Sequence, residues 1–396
     1  LYWYFACERQ NIFLKKKNGE PAPWTNDEIL QEFKFCNSYR VNDRVSQYLL
    51  KNVIYNGKKY TDADMIFRII LFKLFNKEST WELLENEIGD ITLSSFDFNK
   101  YSQILENAIN NGQKIYIDCK DDLFAIQKAI DNLPAEGGTI VIPKGEWLTG
   151  PIHLKNNVEL HLEKDSVLKF SQNFSDYTPA VFTRWEGVEC YNYSPFIYAL
   201  NCENISITGK GVLDGQGSAW WHWKQLQGNA ADRLCKAQSQ NIPVEKRVFA
   251  TEEDALRPSF IQFIGCKNVF FEDFTIINGP QWTIHPVYCE NVQALNLTVK
   301  SCGPNTDGFN PDSCKNILID KCTFNTGDDC IAINSGLNED GWRVNRPCVN
   351  VEIRNCTFLG GHAAVAIGSG MSGGIENINV HNCEVKNTER GIRLKS

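Results

Sequence analysis

Four short motifs toward the end of the chain hold the residues best equipped for chemistry. They are Asn-Thr-Asp ending at Asp307, Gly-Asp-Asp with Asp328 and Asp329, Gly-Gly-His with His362, and Arg-Leu-Lys with Arg393 and Lys395. Asp328 follows Asp307 by 21 residues, His362 follows Asp328 by 34, and Arg393 follows His362 by 31. Polar groups that recur at the length of one structural repeat stack into a single cleft although they are distant in sequence. Cleaving a glycosidic bond takes one carboxylic acid to protonate the leaving oxygen and one carboxylate to activate water or attack. Clustered carboxylates raise one another's pKa, which keeps one protonated for the acid role. Arg393 and Lys395 are two apart, so they share a face of a strand and suit the carboxylate of an acidic sugar. Taken singly, each motif has an ordinary reading as a turn aspartate, a structural histidine or a surface cation pair. Their combination in repeat register points to glycosidic cleavage.

The elements that must position these groups are strands. From about residue 200 a unit recurs: Cys202-Glu-Asn204-Ile, Cys266-Lys-Asn268-Val, Cys289-Glu-Asn291-Val and Cys314-Lys-Asn316-Ile, with weaker copies at Asn350-Val351 and Asn377-Ile378. From Asn268 onward the asparagines lie 23, 25, 34 and 27 residues apart, and each precedes alternating apolar residues. A period in the twenties with strands and no helix reads as a solenoid with one coil per repeat. Asparagine suits the turn because it tolerates positive φ and bonds to nearby backbone. Leucine-rich repeats share the period, but their leucine frame is missing, so the expected fold is a right-handed parallel β-helix. Coils about 4.8 Å apart then bring Asp307 and Asp328 onto adjacent rungs. Side chains alternate along a strand, so Asp328 and Asp329 both reach one groove only across a bend, which Gly327 permits.

The region before residue 118 reads differently. Thr25 and Glu28 form a capping-box pair, and Leu30, Phe33, Val41, Val45, Tyr48 and Leu49 recur at helical spacing. Further helices are expected near 63–75 and 81–88. From about residue 121, Leu123, Ile126, Ile130 and Leu133 mark one face of a short helix ended by Pro134, which would cover the first open coil. The expected organisation is a partial α-helical domain over 1–117 and a β-helix domain over 118–396, truncated at its C-terminal end.

Bulk properties exclude little. The net charge of −8 gives no global pull toward nucleic acid, and no apolar run approaches the roughly 18 residues a membrane span needs. Fifteen cysteines in no Cys-x-x-Cys spacing argue against both a metal site and a disulfide framework, and suggest a repeated core or turn position.

Several stretches of 118–396 carry a more specific likeness. They are Gly137-Gly-Thr-Ile-Val-Ile-Pro, the segment from Trp147 to Phe170, Gly211 to Trp221, Asn305 to Gly336, Gly361-His362 and Arg390 to Lys395. This part resembles glycoside hydrolase family 28, the polygalacturonases, and especially their bacterial branch. The resemblance implies a right-handed β-helix, inverting hydrolysis of α-1,4-galacturonan in pectin, and no metal or cofactor. It makes Asp328 the general acid, has Asp307 and Asp329 activate the water, and has His362 support the acid or the substrate. Arg393 and Lys395 bind the galacturonate carboxylate. It also implies a pectic polysaccharide or oligogalacturonide as partner, an extracellular or periplasmic setting, no membrane or nucleic acid, and a monomer. Ala363 stands where the family has a second glycine of Gly-His-Gly, Asn334 where many bacterial members have Lys, Gly370 where many have Glu, and Asp165 where a turn glycine is common. The family's opening strand before Asp121-Asp122 is missing from this match.

Residues 1–117 resemble a second family. Glu8-Arg9, Pro23-Trp-Thr, Asp27-Glu-Ile-Leu-Gln-Glu-Phe and Asn37-Ser-Tyr-Arg-Val-Asn-Asp-Arg-Val are similar to proteins of thymine hypermodification in DNA. These are the glutamyl/putrescinyl-thymine pyrophosphorylases and the helical domain of a hydroxymethyluracil DNA kinase. That likeness implies a cluster of Tyr39, Arg40, Asp43 and Arg44 and a DNA partner, although Arg40 and Asp43 also fit a surface ion pair at i,i+3. A pectinase joined to a DNA-modification segment suggests two partial genes fused near residue 118. Four alternatives to the pectin hydrolase follow. They are a calcium-dependent pectate lyase, a DNA-modification protein, a rhamnogalacturonan hydrolase, and an inactive sugar-binding solenoid using Trp220, Trp221 and Trp282 as platforms.

Overall fold

The computed structural model describes residues 54–55, 58–59, 115–117 and 122–395. The chain divides into two compact units, Leu1–Ile104 and Leu105–Ser396. In the first, two short strands, Ile54–Tyr55 and Lys58–Lys59, pair antiparallel. The helices expected near residues 25–49, 63–75 and 81–88, and the cluster of Tyr39, Arg40, Asp43 and Arg44, lie outside the described residues.

The second unit is a right-handed parallel β-helix with three sheets. One sheet has nine strands, running in space from Ile375–His381 through Lys315–Asp320 and Glu203–Gly209 to Ile115–Tyr116, all parallel. The opening rung is therefore present: Ile115 pairs with Ile140 and Tyr116 with Val141. A ten-stranded sheet includes Gly145–Thr149, Thr298–Ser301, Thr323–Thr326 and Thr357–Ile367. A third face starts at Ile152–His153 and runs through Ile284–Val287 and single bridges at Phe309 and Asp312 to Ile331–Ile333. Alternation of apolar residues explains the strands, because every second side chain points into the coil. In Lys315–Asp320 the inward residues Ile317 and Ile319 are buried while Lys315 and Asn316 are exposed.

The recurrent asparagines make the bend before each rung. Asn157, Asn204, Asn268, Asn291, Asn316, Asn350 and Asn377 all have φ between 55° and 62°. From Asn204 onward, each side-chain amide donates to the side-chain oxygen of the asparagine one coil earlier, at 2.9–3.1 Å. Asn157, which the sequence repeat did not include, heads this ladder. The neighbouring cysteines are free thiols: Cys266, Cys289, Cys314 and Cys348 are fully buried. The thiols of Cys289 and Cys314 donate to carbonyls of the preceding coil at 3.2 Å. They therefore fill a tight bend with a small, soft side chain that still has a weak donor.

The helix Ala125–Asp131 buries Ile126 and Ile130 against the first coils. Gln127 finishes the exposed edge of Ile152–His153, since its amide donates to the His153 carbonyl at 3.2 Å and accepts from the His153 N–H at 2.6 Å. One side chain thus takes the place of a missing strand.

Val181–Trp185 and Val188–Asn192 form an antiparallel hairpin whose tip, Glu186 at φ 44° and Gly187 at φ 87°, has the two positive φ values of a type I′ turn. Arg184, fully buried, ties it to the solenoid through Asp312 at 3.1 Å and Ser313 at 3.0 Å. Glu189 adds bonds to Tyr288 at 2.7 Å and Arg343 at 2.5 Å, while Asp340 accepts from its N–H at 2.8 Å.

Candidate active site

The four motifs fall where the ten-stranded sheet turns into the third face, on successive coils. Asp307 lies between Thr298–Ser301 and the bridge residue Phe309, and Asp328-Asp329 between Thr323–Thr326 and Ile331–Ile333. His362 sits inside Thr357–Ile367, and Arg393 and Lys395 lie at the end of Thr388–Leu394. Gly327 is required for close approach rather than for an unusual φ: a Cβ there would sit 2.1 Å from the carbonyl oxygen of Gly303. Packed that tightly, the bend carries both aspartates into one site. At Gly361, φ is 143° and a Cβ would meet the Asp328 carbonyl oxygen at 2.6 Å, so glycine there lets the histidine strand press on the aspartate turn.

Oxygens of Asp307, Asp328 and Asp329 all lie within 4.8 Å of one another. Asp307 and Asp329 are buried, whereas the Asp328 side chain is 18% exposed. Asp307 accepts from the Asn310 amide at 3.0 Å with Oδ2, and its Oδ1 has no hydrogen-bond partner. Asp329 is paired through Oδ2 with the Lys395 ammonium at 2.5 Å, and its Oδ1 is likewise unpartnered. Two buried carboxylate oxygens therefore retain acceptor capacity beside Asp328. Burial pushes the Asp307 carboxyl well above the usual carboxylate range, and Asp328 and Asp329 push the same way, while Asn310 and Lys395 oppose them.

Asp328 has three polar contacts. Its Oδ1 lies 3.0 Å from Nδ1 of His362 and accepts from the Asp329 N–H at 3.0 Å, and its Oδ2 accepts from the Asn305 amide at 3.2 Å. The histidine contact serves both protonation states. A protonated Asp328 donates to the imidazole nitrogen, and an ionised one accepts from an imidazole N–H. Asn305 is held by Arg257, a fully buried guanidinium that donates to its side-chain oxygen at 2.8 Å and to the carbonyls of Pro280 and Pro304 at 3.0 and 2.6 Å. Burial draws Arg257 down to about 10, with Glu186 opposing, so it stays cationic at neutral pH.

Asp307, Asp328, Asp329, His362 and Lys395 thus converge. Arg393, opposite Ala366 on the adjacent strand, is half-buried and has no ion-pair partner among the described residues. Three groups were not picked out from sequence: Asn305, Asn310 and Arg257. The first two lie within three residues of Asp307, and proximity to the motif was the available signal. Arg257 lies 50 residues upstream of Asp307 and carried none. Trp220 is no sugar platform, because it is fully buried among Phe174, Tyr177, Phe196 and Trp223. The Ala363 methyl packs with Ala332 and Ala366 in a small buried cluster.

Among the described residues the three aspartates are the group with the spacing to hold a cation. The Lys395 ammonium already supplies positive charge at Asp329.

The family described as glycosyl hydrolases family 28 matches residues 134–396. That described as the 5-hmdU DNA kinase helical domain matches residues 1–119. A "Probable polygalacturonase" of Vitis vinifera is 33% identical over 285 residues, covering 69% of this chain and 53% of that protein. An endo-polygalacturonase of Pectobacterium carotovorum is 30% identical over 269 residues, 63% of this chain and 60% of its own length. The crystal structure of a hyperthermoactive exopolygalacturonase from Thermotoga maritima superposes with a TM-score of 0.69 at 40% identity, covering 74% of this chain and 72% of that one. The chain spans about half the length of the curated relatives it matches.

Proposed function

The chain belongs to glycosyl hydrolases family 28, and on that footing we propose that it hydrolyses the α-1,4-galacturonosyl linkages of polygalacturonate. The observation that carries this reading is the meeting of three carboxylates from neighbouring coils, two of them buried with an oxygen unpartnered and the third partly exposed. Asp328, the exposed member, is the acid that protonates the leaving oxygen. His362 and Asn305 hold its carboxyl in place. The free oxygens of Asp307 and Asp329 take the attacking water, and Asp307, pushed up by burial, is a stronger base than an ordinary aspartate once ionised. Arg393, without an ion-pair partner among the described residues, takes the sugar carboxylate, and Lys395 divides its charge between that group and Asp329. Inversion is the stereochemistry that family membership implies. The closest carboxylate oxygens lie nearer together than the roughly 6.5–9.5 Å of ordinary inverting pairs, so spacing is no guide to it here.

Proton NMR of a trigalacturonate digest tests both the reaction and its course. A saturated product that first appears with inverted anomeric configuration supports the reading. An unsaturated, ultraviolet-absorbing product would assign the site to a lyase.

A second reading concerns residues 1–119 alone, where the match to a DNA kinase helical domain favours contact with DNA. Duplex binding that weakens steeply with salt would support it, and salt-independent or absent binding would remove it.

A further inference from the structure

Hydrolysis as described leaves without a task one carboxyl that Gln281, Trp185, Arg257 and Asn305 link to Asp328 by hydrogen bonds. Glu186 stands at the tip of the hairpin, half-buried, with φ 44°. A left-handed conformation is unfavourable for a side chain such as glutamate, and a hairpin tip could have avoided it with asparagine or glycine. The surroundings fix it there. Trp185 Nε1 donates to the Arg257 carbonyl at 3.1 Å and to Gln281 Oε1 at 3.2 Å. With its oxygen so engaged, the buried Gln281 must present its amide N–H to Glu186, and it donates to Oε1 at 3.3 Å. The other carboxylate oxygen of Glu186 is left over. The charged groups that act on Glu186 are Lys224 from the segment His222–Gln225, Arg257 from the loop before Ile261–Ile264, Asp328 from the aspartate turn and Lys395 from the last strand. Burial raises its pKa and Asp328 adds to this, while the three cations oppose.

We propose that Glu186 is a substrate-positioning residue whose free carboxylate oxygen accepts a hydrogen bond from a ring hydroxyl of the sugar bound beside Asp328. The inference rests on the galacturonan reading. A carboxylate repels the sugar's own carboxylate and welcomes its hydroxyls. Arg393 and Glu186 would then read different edges of the ring, which fixes its orientation at the scissile bond.

Trigalacturonate binding by calorimetry tests this in the full chain, with Asp328→Asn present to stop hydrolysis, with and without Glu186→Gln. Glutamine keeps the bond to Gln281 and replaces the free acceptor by a donor. The expected result is about tenfold weaker binding for the double variant at neutral pH, as for one lost charge-assisted bond. That gap should narrow as pH falls through the raised pKa of Glu186, while Tm stays unchanged. Equal affinities would overturn the proposal, and so would a gap that ignores pH and comes with a lowered Tm, as a purely structural hairpin residue gives. No binding by either protein also overturns it. Reducing-end release by the wild type would still stand for the hydrolase reading in any of these cases.

Discussion

Asp307 carries the sharpest conflict between stability and chemistry, because it is buried, keeps one oxygen unpartnered and has two further carboxylates within 4.8 Å. Its folded pKa is raised above the unfolded value, so the native state holds the proton more tightly. Stability from this group is present at low pH and is lost as pH rises through the raised value. Asp307→Asn should therefore abolish activity yet raise Tm at pH 7, by about 2 °C or more, with the gain vanishing near pH 3. Thermal melts of the two proteins across pH check the sign. Lys395 pulls Asp307 in the opposite direction, so Lys395→Met should move the acid limb of the kcat/KM profile to higher pH. An unmoved limb would take Asp307 out of the base role. The sequence pointed to a shared proton among the carboxylates. The group on which the upward shift falls, Asp307, became visible only with burial.

At the scale of elements, the asparagine ladder and the hairpin show what is legible in sequence and what is not. Asparagine recurs because one side chain both tolerates positive φ and bonds to its copy one coil away, and this leaves a period in the sequence. Asn316→Ala should cost about 1–2 kcal/mol through the strained φ and the broken ladder, and Asn316→Gly less, because glycine restores the backbone freedom. Denaturant unfolding of both variants separates the two contributions. Asp165 follows the same logic: at φ 66° it holds a left-handed turn. The hairpin left only a weak trace, since Glu186-Gly187 is a less typical tip than Asn-Gly and the flanking strands alternate imperfectly. Trp220 was misjudged for a related reason. A paired tryptophan reads equally as platform or core, and only the aromatic cluster around it decides.

For the molecule as a whole, a solenoid explains why residues spread from Asp307 to Lys395 make one site: each coil contributes one short motif at the same bend. The fold class was readable because repetition survives in sequence. The start of the solenoid was not, because Ile115–Tyr116 is a two-residue rung recognised only by its partner Gly138–Ile142. A site whose side chains come from several coils suits a linear polymer, and a lysine already answers the charge of the buried Asp329. Chelators should accordingly leave the rate unchanged, and a rate that needs added calcium would favour elimination. The most direct measurement is reducing-end release from polygalacturonate by the full chain and by its Asp328→Asn variant, side by side with chelator present. The account predicts release by the first and a loss of about 10²–10⁴-fold in the second, the range for a general acid. Equal rates in the two proteins would contradict it.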